Sequence, residues 1–527
     1  MRRVLLMLLL MTCAAAQAQT LAREQVLHKG NGPEPETLDP HRGEGVSTSN
    51  ILRDLFEGLT SEAPDGTVIP GAAQSWEISD DRKTYVFHLR DNARWSNGDA
   101  LTAEDFVYGL RRSVDPATGS NYSSILAPIE NAEDVIAGRR PPSSLGVEAV
   151  DAHTLLLRLR APTGYFLGLL THSAAYPAHR PSIEKFGRLA FRPEHLVSNG
   201  AYQAVEWVVQ SHVLLQRNRY YWDDAHTTIE RVYHHCTEDL SSEFKRYRAG
   251  ELDWTEEIPV TQARWIKSHI PQEFRVSPYL GVYYYGLNLT QPPFRDNPKL
   301  RRALTLALDR EVIVQKVLGT GELPAYSWVP PLTGYVQQVP AWASWTREQR
   351  LAEARRLYAA AGYSAAHPLA VEIRYNTSED HKKIAIVVAA MWKQFLGVKA
   401  TLVNQEFKVF LRDRTQKQLT QVFRAAWIGD YNDAYTFSEL MSSRNGRNDM
   451  GYASAAYDAA LSTATAEADP QQRLQTLQAA ERLMLEDQPM IPLYFYVTKR
   501  LVKPYVVGWQ GNIMDHHYTK NMKILAH

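Results

Sequence analysis

The chain is poor in cysteine, has no excess charge of either sign and lacks an apolar run of the ~20 residues needed to cross a membrane. With 2 cysteines in 527 residues, a disulfide-stabilised scaffold is excluded. Lys plus Arg and Asp plus Glu each number 58, which excludes both a strongly basic, nucleic-acid-binding surface and an acidic disordered chain. The 27 tyrosines exceed what packing needs, and tyrosine recurs where proteins hold ligands of mixed polarity. The composition indicates a soluble globular protein of about two to four domains.

The first residues have the pattern of an export signal. A positive start at Arg2 and Arg3 is followed by an apolar run over residues 4–11 and by small residues at 16–18. This pattern predicts a signal peptide over residues 1–18 that is cleaved after Ala18. The alternative is lipid attachment at Cys13, which is disfavoured because bulky or polar residues precede it where small ones are needed. In either case Cys236 has no partner in the mature chain, and we expect it to pack as a small buried hydrophobic residue.

Helix and strand patterns alternate along the chain. Residues 84–90 and 205–216 alternate polar and apolar side chains as single strands do, and Thr102 with Asp105 forms a capping box that begins a helix. Apolar residues at three- and four-residue spacing predict one helix over 301–318. Further strands are predicted at 153–160, 398–404, 421–427 and 490–502, and further helices at 348–361, 381–396 and 470–486. This alternation indicates an α/β protein with mixed sheets.

The chain lacks the sequence motifs of the common catalytic and cofactor sites. It has no Gly-x-Ser-x-Gly, no His-Glu-x-x-His, no Cys-x-x-Cys and no phosphate-binding loop. The adjacent histidine pairs at 234–235 and 516–517 are poor metal sites, because neighbouring residues of a strand point to opposite faces. We therefore expect neither an enzyme nor a bound metal or other cofactor.

A set of short segments, read in order, carries a family resemblance. The segments are ETLDPH at 36–41, RDLFEGL at 53–59, WSNGDALTAEDFV at 95–107, SNGAY at 198–202, NTS at 376–378, WIGDYND at 427–433 and LVKP at 501–504. From about residue 24 to its end, the chain resembles the oligopeptide-binding branch of the solute-binding proteins of ABC importers, solute-binding protein family 5. Each segment alone is a weak signal, whereas the ordered set is specific.

The resemblance implies a particular α/β architecture. It is the three-domain periplasmic binding protein fold, in which two mixed α/β lobes close around the ligand and an extra domain lies beside them. Domain I would be discontinuous, built from residues 20–56, 181–280 and 498–527. Domain II would comprise residues 57–180 and domain III residues 281–497. The ligand would lie between domains I and III, which close by a hinge.

The resemblance also implies where the termini of a peptide bind. Asp430 matches the carboxylate that receives the amino terminus, and Arg424 matches the arginine that receives the carboxylate of a short peptide. A buried ammonium needs such a partner, because an unpaired buried charge costs several kcal/mol. Six strand residues span at most ~20 Å and the termini of a tripeptide lie roughly 10 Å apart, so the arginine stem and the turn before Asp430 have to close the difference.

Other residues match the family's pocket. His381 corresponds to a histidine that meets the carboxylate of a longer peptide, while Arg414 and Asn376 match polar positions nearby. Glu44 and Val46 match the segment that lines the cleft from domain I. Aromatic pocket walls are expected from Tyr122, Tyr279, Tyr284, Phe407 and Trp427.

The function implied is that of a periplasmic receptor. It would capture short peptides of about 2–5 residues by their termini and backbone and deliver them to a membrane ABC permease. We expect a monomer that does not bind nucleic acid. A murein-peptide receptor of the same fold is the nearest alternative, because that ligand also offers an amine and carboxylates. Receptors for nickel, haem or glutathione, an exported hydrolase and an exported peptide-binding chaperone are weaker alternatives.

Overall fold

A computed structural model describes residues 20–527 of the chain. The predicted signal peptide and Cys13 lie outside the described residues. Within residues 20–527, no helix is both long enough and apolar enough to cross a membrane. Cys236 is half-buried, and burial raises the pKa of its thiol to about 11. The thiol is therefore protonated at neutral pH, but Cys236 is less buried than the sequence predicts.

The strands of the described residues are short except for two near the middle and the end of the chain. In order, they are β1 Val26–Gly30, β2 Thr60–Glu62, β3 Val68–Pro70, β4 Ala73–Ile78, β5 Thr84–Leu89, β6 Val147–Ala149, β7 Thr154–Arg158, β8 Tyr202–Val208, β9 His212–Arg217, β10 Arg231–His235, β11 Phe274–Leu287, β12 Leu323–Pro324, β13 Ala370–Asn376, β14 Lys399–Gln405, β15 Val422–Ile428, β16 Met490–Leu501, β17 Val506–Val507 and β18 Lys523–Ile524.

The α-helices are distributed between these strands. They are α1 Gly45–Leu55, α2 Ala103–Val114, α3 Ala132–Ile136, α4 Phe166–Leu169, α5 Arg180–Phe186, α6 Leu240–Arg248, α7 Ala263–His269, α8 Pro298–Leu306, α9 Arg310–Val312, α10 Arg347–Ala360, α11 Glu379–Leu396, α12 Phe407–Gln416, α13 Tyr435–Ser438, α14 Ala455–Ala466 and α15 Pro470–Asp487.

The helix ends follow the local sequence. The capping box of Thr102 and Asp105 is formed at the start of α2, with acidic residues in the first turn and basic residues in the last, as the helix dipole favours. Helix α15 begins as predicted, because Asp469 accepts hydrogen bonds from the first backbone amides and Pro470 stands at the first helical position.

The strands form three larger sheets in the described part of the chain, which confirms the expected mixed α/β class. One sheet has the order β1-β10-β9-β8, and a second, fully antiparallel sheet has the order β4-β5-β7-β6. The third has the order β12-β16-β11-β15-β13-β14, in which β13 is parallel to β14 and β15 while β11 is antiparallel to β15 and β16. The first two sheets lie within the predicted domains I and II. The three-domain division remains a prediction.

The strands β11 and β16 connect the predicted domains I and III. Both predicted boundaries, after residue 280 and after residue 497, fall inside these strands. Their pairing shifts register between Pro278 and Val282 and again between Tyr283 and Tyr284. A register shift bends and twists a strand pair, so the two strands that connect the predicted domains I and III are bent.

Hydrophobic packing covers both faces of the third sheet. Tyr283 and Tyr285 belong to a buried cluster with Trp392 on α11, whereas Tyr284 belongs to a second cluster with Trp328. Alternate residues of β11 therefore enter different cores, as the pleat requires. A third, larger cluster joins α1 and the first two sheets.

Two predicted elements are wrong in detail. Residues 205–216 are not one strand, because β8 and β9 form an antiparallel hairpin whose turn includes Gln210 at a φ of 58°. Residues 301–318 are not one helix, because α8 ends at Leu306 and α9 is begun by Asp309, whose side chain accepts a hydrogen bond from the amide of Val312. The apolar pattern continues across both interruptions, and periodicity alone therefore misses them.

Candidate functional site

Strand β15 and the loop after it position the two residues expected to bind peptide termini. Arg424 pairs across the ladder with Tyr285, and Trp427 pairs with Val282. An odd separation places Arg424 and Trp427 on opposite faces of the strand, whereas Arg424 and Ile428 share a face. Asp430 follows two residues after the strand ends.

Asp430 has a carboxylate without a partner. Its side chain is exposed to the cleft and makes no hydrogen bond or ion pair with any residue that the structure describes. The surrounding walls displace water and raise its pKa, while the positive charge of Arg447 opposes the shift. An ammonium group brought by a ligand would relieve this cost.

Asp430 lines a cavity of about 170 Å³ together with several predicted residues. Val46, Tyr122 and Tyr279 lie in its wall, as does Ile428 from the Arg424 face of β15. Burial raises the pKa of Tyr122, and the negative charges of Asp430 and Glu44 raise it further. The structure thus places three of the expected wall residues beside the expected carboxylate.

Arg424 lies in a polar cluster with Asn376, Tyr496 and Tyr283. Its guanidinium donates to Asn376 Oδ1 and to the Tyr496 hydroxyl, each at 3.4 Å, and its centre lies 5.0 Å from the ring centroid of Tyr283. No carboxylate of the described residues pairs with it. Its Nε is buried without a hydrogen-bond partner. The guanidinium is therefore free to receive a carboxylate.

His381 belongs to the same cluster. Its Nδ1 lies 3.4 Å from the hydroxyl of Tyr283. Burial, followed by the positive charge of Arg424, lowers the pKa of His381 to about 4. The ring is therefore neutral at physiological pH and offers a hydrogen bond rather than a positive charge.

Other predicted residues lie away from the Arg424 face. Arg414 forms an ion pair of 2.7 Å with Asp449, and Trp427 donates its ring N–H to Thr436 at 3.1 Å. Tyr284 is buried in the second core, where burial raises its pKa to about 12. Phe407 is 51% exposed at the start of α12. The structure does not bring these four residues into the cavity of Asp430.

Glu44 lies at the mouth of a separate cavity. It accepts a hydrogen bond from Asn121 and lines a cleft of about 930 Å³ between the 36–44 segment, α2 and the 180–192 region. This cleft is larger than the cavity of Asp430, but neither Asp430 nor Arg424 lines it. Size alone therefore does not identify the ligand site.

One edge of β15 is free beside these groups. Strand β11 pairs with β15 over Val422–Ile428, but among the described strands β13 pairs with it only at Val422 and Phe423. Residues 424–428 therefore have a strand neighbour on one side alone. An extended chain can add to such an edge by backbone hydrogen bonds.

The loop that carries Asp430 is held firmly. Tyr431 stacks on Tyr165 with ring centroids 4.2 Å apart and donates its hydroxyl to Glu439 at 3.0 Å. Asp433 accepts two hydrogen bonds from Arg473, each at 2.8 Å. These contacts fix the loop that presents the carboxylate.

Sequence reasoning missed several residues of the cavity. Arg53 and His172 line both this cavity and a smaller adjoining one, as do Met514 and His516. Burial lowers the pKa of His172 to about 3, so it is neutral. These residues come from α1, from the region after α4 and from the C-terminal segment. Arg53 begins the segment RDLFEGL, but no local motif assigns it or the other three residues to the cavity.

Three of the four histidines in the two adjacent pairs contact a carboxylate. His234 contacts Asp54 at 3.2 Å, His516 contacts Glu62 at 2.7 Å and His517 contacts Asp515 at 2.8 Å. Within residues 20–527, no group of three or more His, Cys, Asp or Glu side chains is placed to hold a metal ion.

These features define a class of protein. A free carboxylate and a free guanidinium near the two ends of an open strand edge are the parts of a ligand-binding protein. Comparison with known proteins identifies the family. Residues 67–449 match the model of the bacterial extracellular solute-binding proteins, family 5, and the chain belongs to this family.

The similarity extends over nearly the whole chain. The chain is 44% identical to the periplasmic oligopeptide-binding protein OppA of Salmonella typhimurium, over 96% of this chain and 94% of that protein. The structure matches the unliganded open form of MppA, a periplasmic murein tripeptide binding protein, with a TM-score of 0.88, 38% identity and coverage of 97% and 99%. It matches Haemophilus influenzae OppA in complex with the peptide RPPGFSPFR with a TM-score of 0.78, 40% identity and coverage of 96% and 100%.

Proposed function

We propose that this protein is a receptor that captures short peptides by their two termini and backbone. The observation that carries the proposal is the carboxylate of Asp430, which is exposed to the cleft without a hydrogen-bond or ion-pair partner in the described chain. Keeping the carboxylate of Asp430 ionised costs free energy, because the cleft raises the pKa of this group. A ligand ammonium would offset the cost and gain a charge-assisted hydrogen bond.

The free edge of β15 would bind the backbone of the peptide, and Arg424 would bind its carboxylate. A peptide whose amino group meets Asp430 can run along residues 424–428 as an added strand, with hydrogen bonds that do not depend on its side chains. Its carboxylate then approaches Arg424 and the neutral His381. A tripeptide's termini lie roughly 10 Å apart, so the long side chain of Arg424 and the turn before Asp430 have to shorten a span of up to ~20 Å between the two positions.

Closure completes the site. Domains I and III would rotate about the bent β11 and β16 pair and enclose the peptide, with Val46 and Arg53 approaching from domain I. The higher TM-score with an unliganded open form than with a peptide complex, 0.88 against 0.78, supports an open arrangement here. Expelling water lowers the local dielectric and strengthens both charge pairs.

The transport role follows from this chemistry and from the relatives. A closed, loaded receptor would dock on a membrane ABC permease, which takes the peptide. The export signal predicted at residues 1–18 and the periplasmic relatives support a location in the periplasm, with cleavage after Ala18. We propose that the receptor acts as a monomer.

A murein peptide is the second candidate ligand. It is supported by the structural match to MppA and by the chemistry, since murein peptides also offer an amine and carboxylates. Both candidates require Asp430 and Arg424, so the two termini are tested first.

The proposal is tested by thermal unfolding of the mature protein after refolding from denaturant, which removes peptide retained during purification. Tri-alanine is compared with N-acetyl-tri-alanine and with no ligand. A ligand at 100 times its dissociation constant adds about 2.7 kcal/mol to the free energy of unfolding. Stabilisation by tri-alanine but not by the acetylated peptide is expected. A failure of tri-alanine, murein tripeptide and longer peptides to stabilise the protein would overturn the proposal.

A further inference from the structure

Two arginines without a carboxylate partner flank Asp430. Arg447 is the positive charge that acts on the pKa of Asp430, and its guanidinium lies 5.4 Å from the ring centroid of Trp427. Arg53, on α1, lines the same cavity as Asp430 and donates to Asn50 Oδ1 at 3.3 Å. No carboxylate in the described chain lies within ion-pair distance of either guanidinium. One arginine belongs to each of the two lobes proposed to close.

The acidic groups near Arg447 are already engaged. Asp449 pairs with Arg414 at 2.7 Å, and Asp433 pairs with Arg473 at 2.8 Å. Burial raises the pKa of Glu439 to about 7, which reduces its negative charge at neutral pH. Asp430 alone would have to neutralise both Arg447 and the ligand ammonium.

The acidic groups near Arg53 are engaged as well. Glu62 lies in the same region, but its carboxylate already accepts hydrogen bonds from His516 at 2.7 Å and from the Tyr518 hydroxyl at 3.2 Å. Asp515 forms an ion pair with Arg500 and contacts His517. Once an ammonium occupies Asp430, the cavity would contain more positive than negative charge.

We propose that Arg53 and Arg447 select peptides that have an acidic side chain at the first or second residue. This inference rests on the proposed function, since it takes the peptide's amino group to be at Asp430. Side chains of successive residues in an extended peptide point to opposite faces, so one of the first two faces domain I and the other faces domain III. A carboxylate at either position meets an unpaired guanidinium, which can bind it with two parallel hydrogen bonds.

The inference is tested by calorimetry on the peptide-free protein with matched tripeptides. Ala-Glu-Ala is compared with Ala-Gln-Ala, and Glu-Ala-Ala with Gln-Ala-Ala, so each pair differs in charge at nearly constant shape. The glutamate peptide of at least one pair should bind about tenfold more tightly than its glutamine partner, and the ratio should shrink as salt is added. The variants Arg447→Gln and Arg53→Gln should each lower the ratio towards one at the position that the arginine faces.

A matched control separates this effect from a general change in charge. Arg444 lies three residues before Arg447 and donates to Ser462 at 3.0 Å, so Arg444→Gln should keep the parent ratio. If all four peptides bind but glutamate and glutamine are equal at both positions in the parent, the inference is overturned and the proposed function stands. If none of them binds and tri-alanine does not bind, both are overturned. A fall in the ratio with Arg444→Gln equal to that with Arg447→Gln also contradicts the inference.

Discussion

The ring of Tyr165 stacks on the ring of Tyr431 with centroids 4.2 Å apart and an angle of 8° between their planes. Tyr431 directly follows Asp430, whereas Tyr165 comes from the segment just before α4, in the predicted domain II. The segment that presents the carboxylate is therefore supported by a distant part of the chain.

Removing this stack should weaken peptide binding without touching the peptide. Tyr165→Leu loses the aromatic contact, which is worth about 1 kcal/mol beyond the buried area, so the affinity for tri-alanine should fall about fivefold. Tyr165→Phe keeps the ring and serves as the control. Calorimetric titration measures both, and an unchanged affinity in Tyr165→Leu would show that the loop does not need this support.

Arg424 should bind the carboxylate of the ligand. In the parent, tri-alanine should bind at least about tenfold more tightly than tri-alanine amide, because the amide cannot form the charge-assisted pair. Arg424→Gln should bring this ratio close to one. Arg412 is exposed and contacts the neighbouring Asp413, so Arg412→Gln is a matched control that keeps the ratio. Equal losses for the acid and the amide in Arg424→Gln would assign Arg424 a structural role instead.

Glu439 should make stability depend on pH. Burial raises its pKa from 4.5 to about 7, so the folded state holds this proton more tightly than the unfolded state. The unfolding free energy should therefore fall as pH rises from about 5 to about 8. Glu439→Gln removes the titration and should exceed the parent by on the order of 2 kcal/mol at about pH 8, with the difference closing towards about pH 5.

Urea unfolding at the two pH values measures this difference. Glu194→Gln, at an exposed position, is the control and should follow the parent at both. A Glu439→Gln variant that shows the same pH dependence as the parent would contradict the assignment of the titration to Glu439.

The sequence predicts those parts of the fold that are set by local chemistry. The capping box at Thr102 and the start of α15 at Pro470 were both predictable, because their side chains hydrogen-bond the adjacent backbone. The hairpin at Gln210 and the break before Asp309 were not, since the apolar pattern runs on through both. The α/β class and the family resemblance are confirmed, while the roles of the site residues stay predictions.

The residues of the site also divide into those that the sequence predicts and those that it does not. Asp430 lies in a recognisable segment, and Arg424 and Val46 could be named because they match positions of the family's pocket. The role inferred for Arg53 and Arg447 could not be predicted, although Arg53 begins a recognisable segment, because an arginine is identified as unpaired only when the charges around it in three dimensions are known. The match to the family's pocket predicts Trp427 beside the ligand, whereas the strand's alternation turns it to the face opposite Arg424.

The most direct test of the account is a comparison of amine recognition in the parent and in Asp430→Asn. Calorimetry on peptide-free protein should show that the parent binds tri-alanine at least about a hundredfold more tightly than N-acetyl-tri-alanine, since a charge-assisted pair in a closed cleft is lost. Asp430→Asn, which keeps the shape of the side chain, should bind both peptides weakly and nearly equally. A variant that still prefers the free amine by the parent's ratio would contradict the assignment of Asp430 and with it the proposed mode of capture.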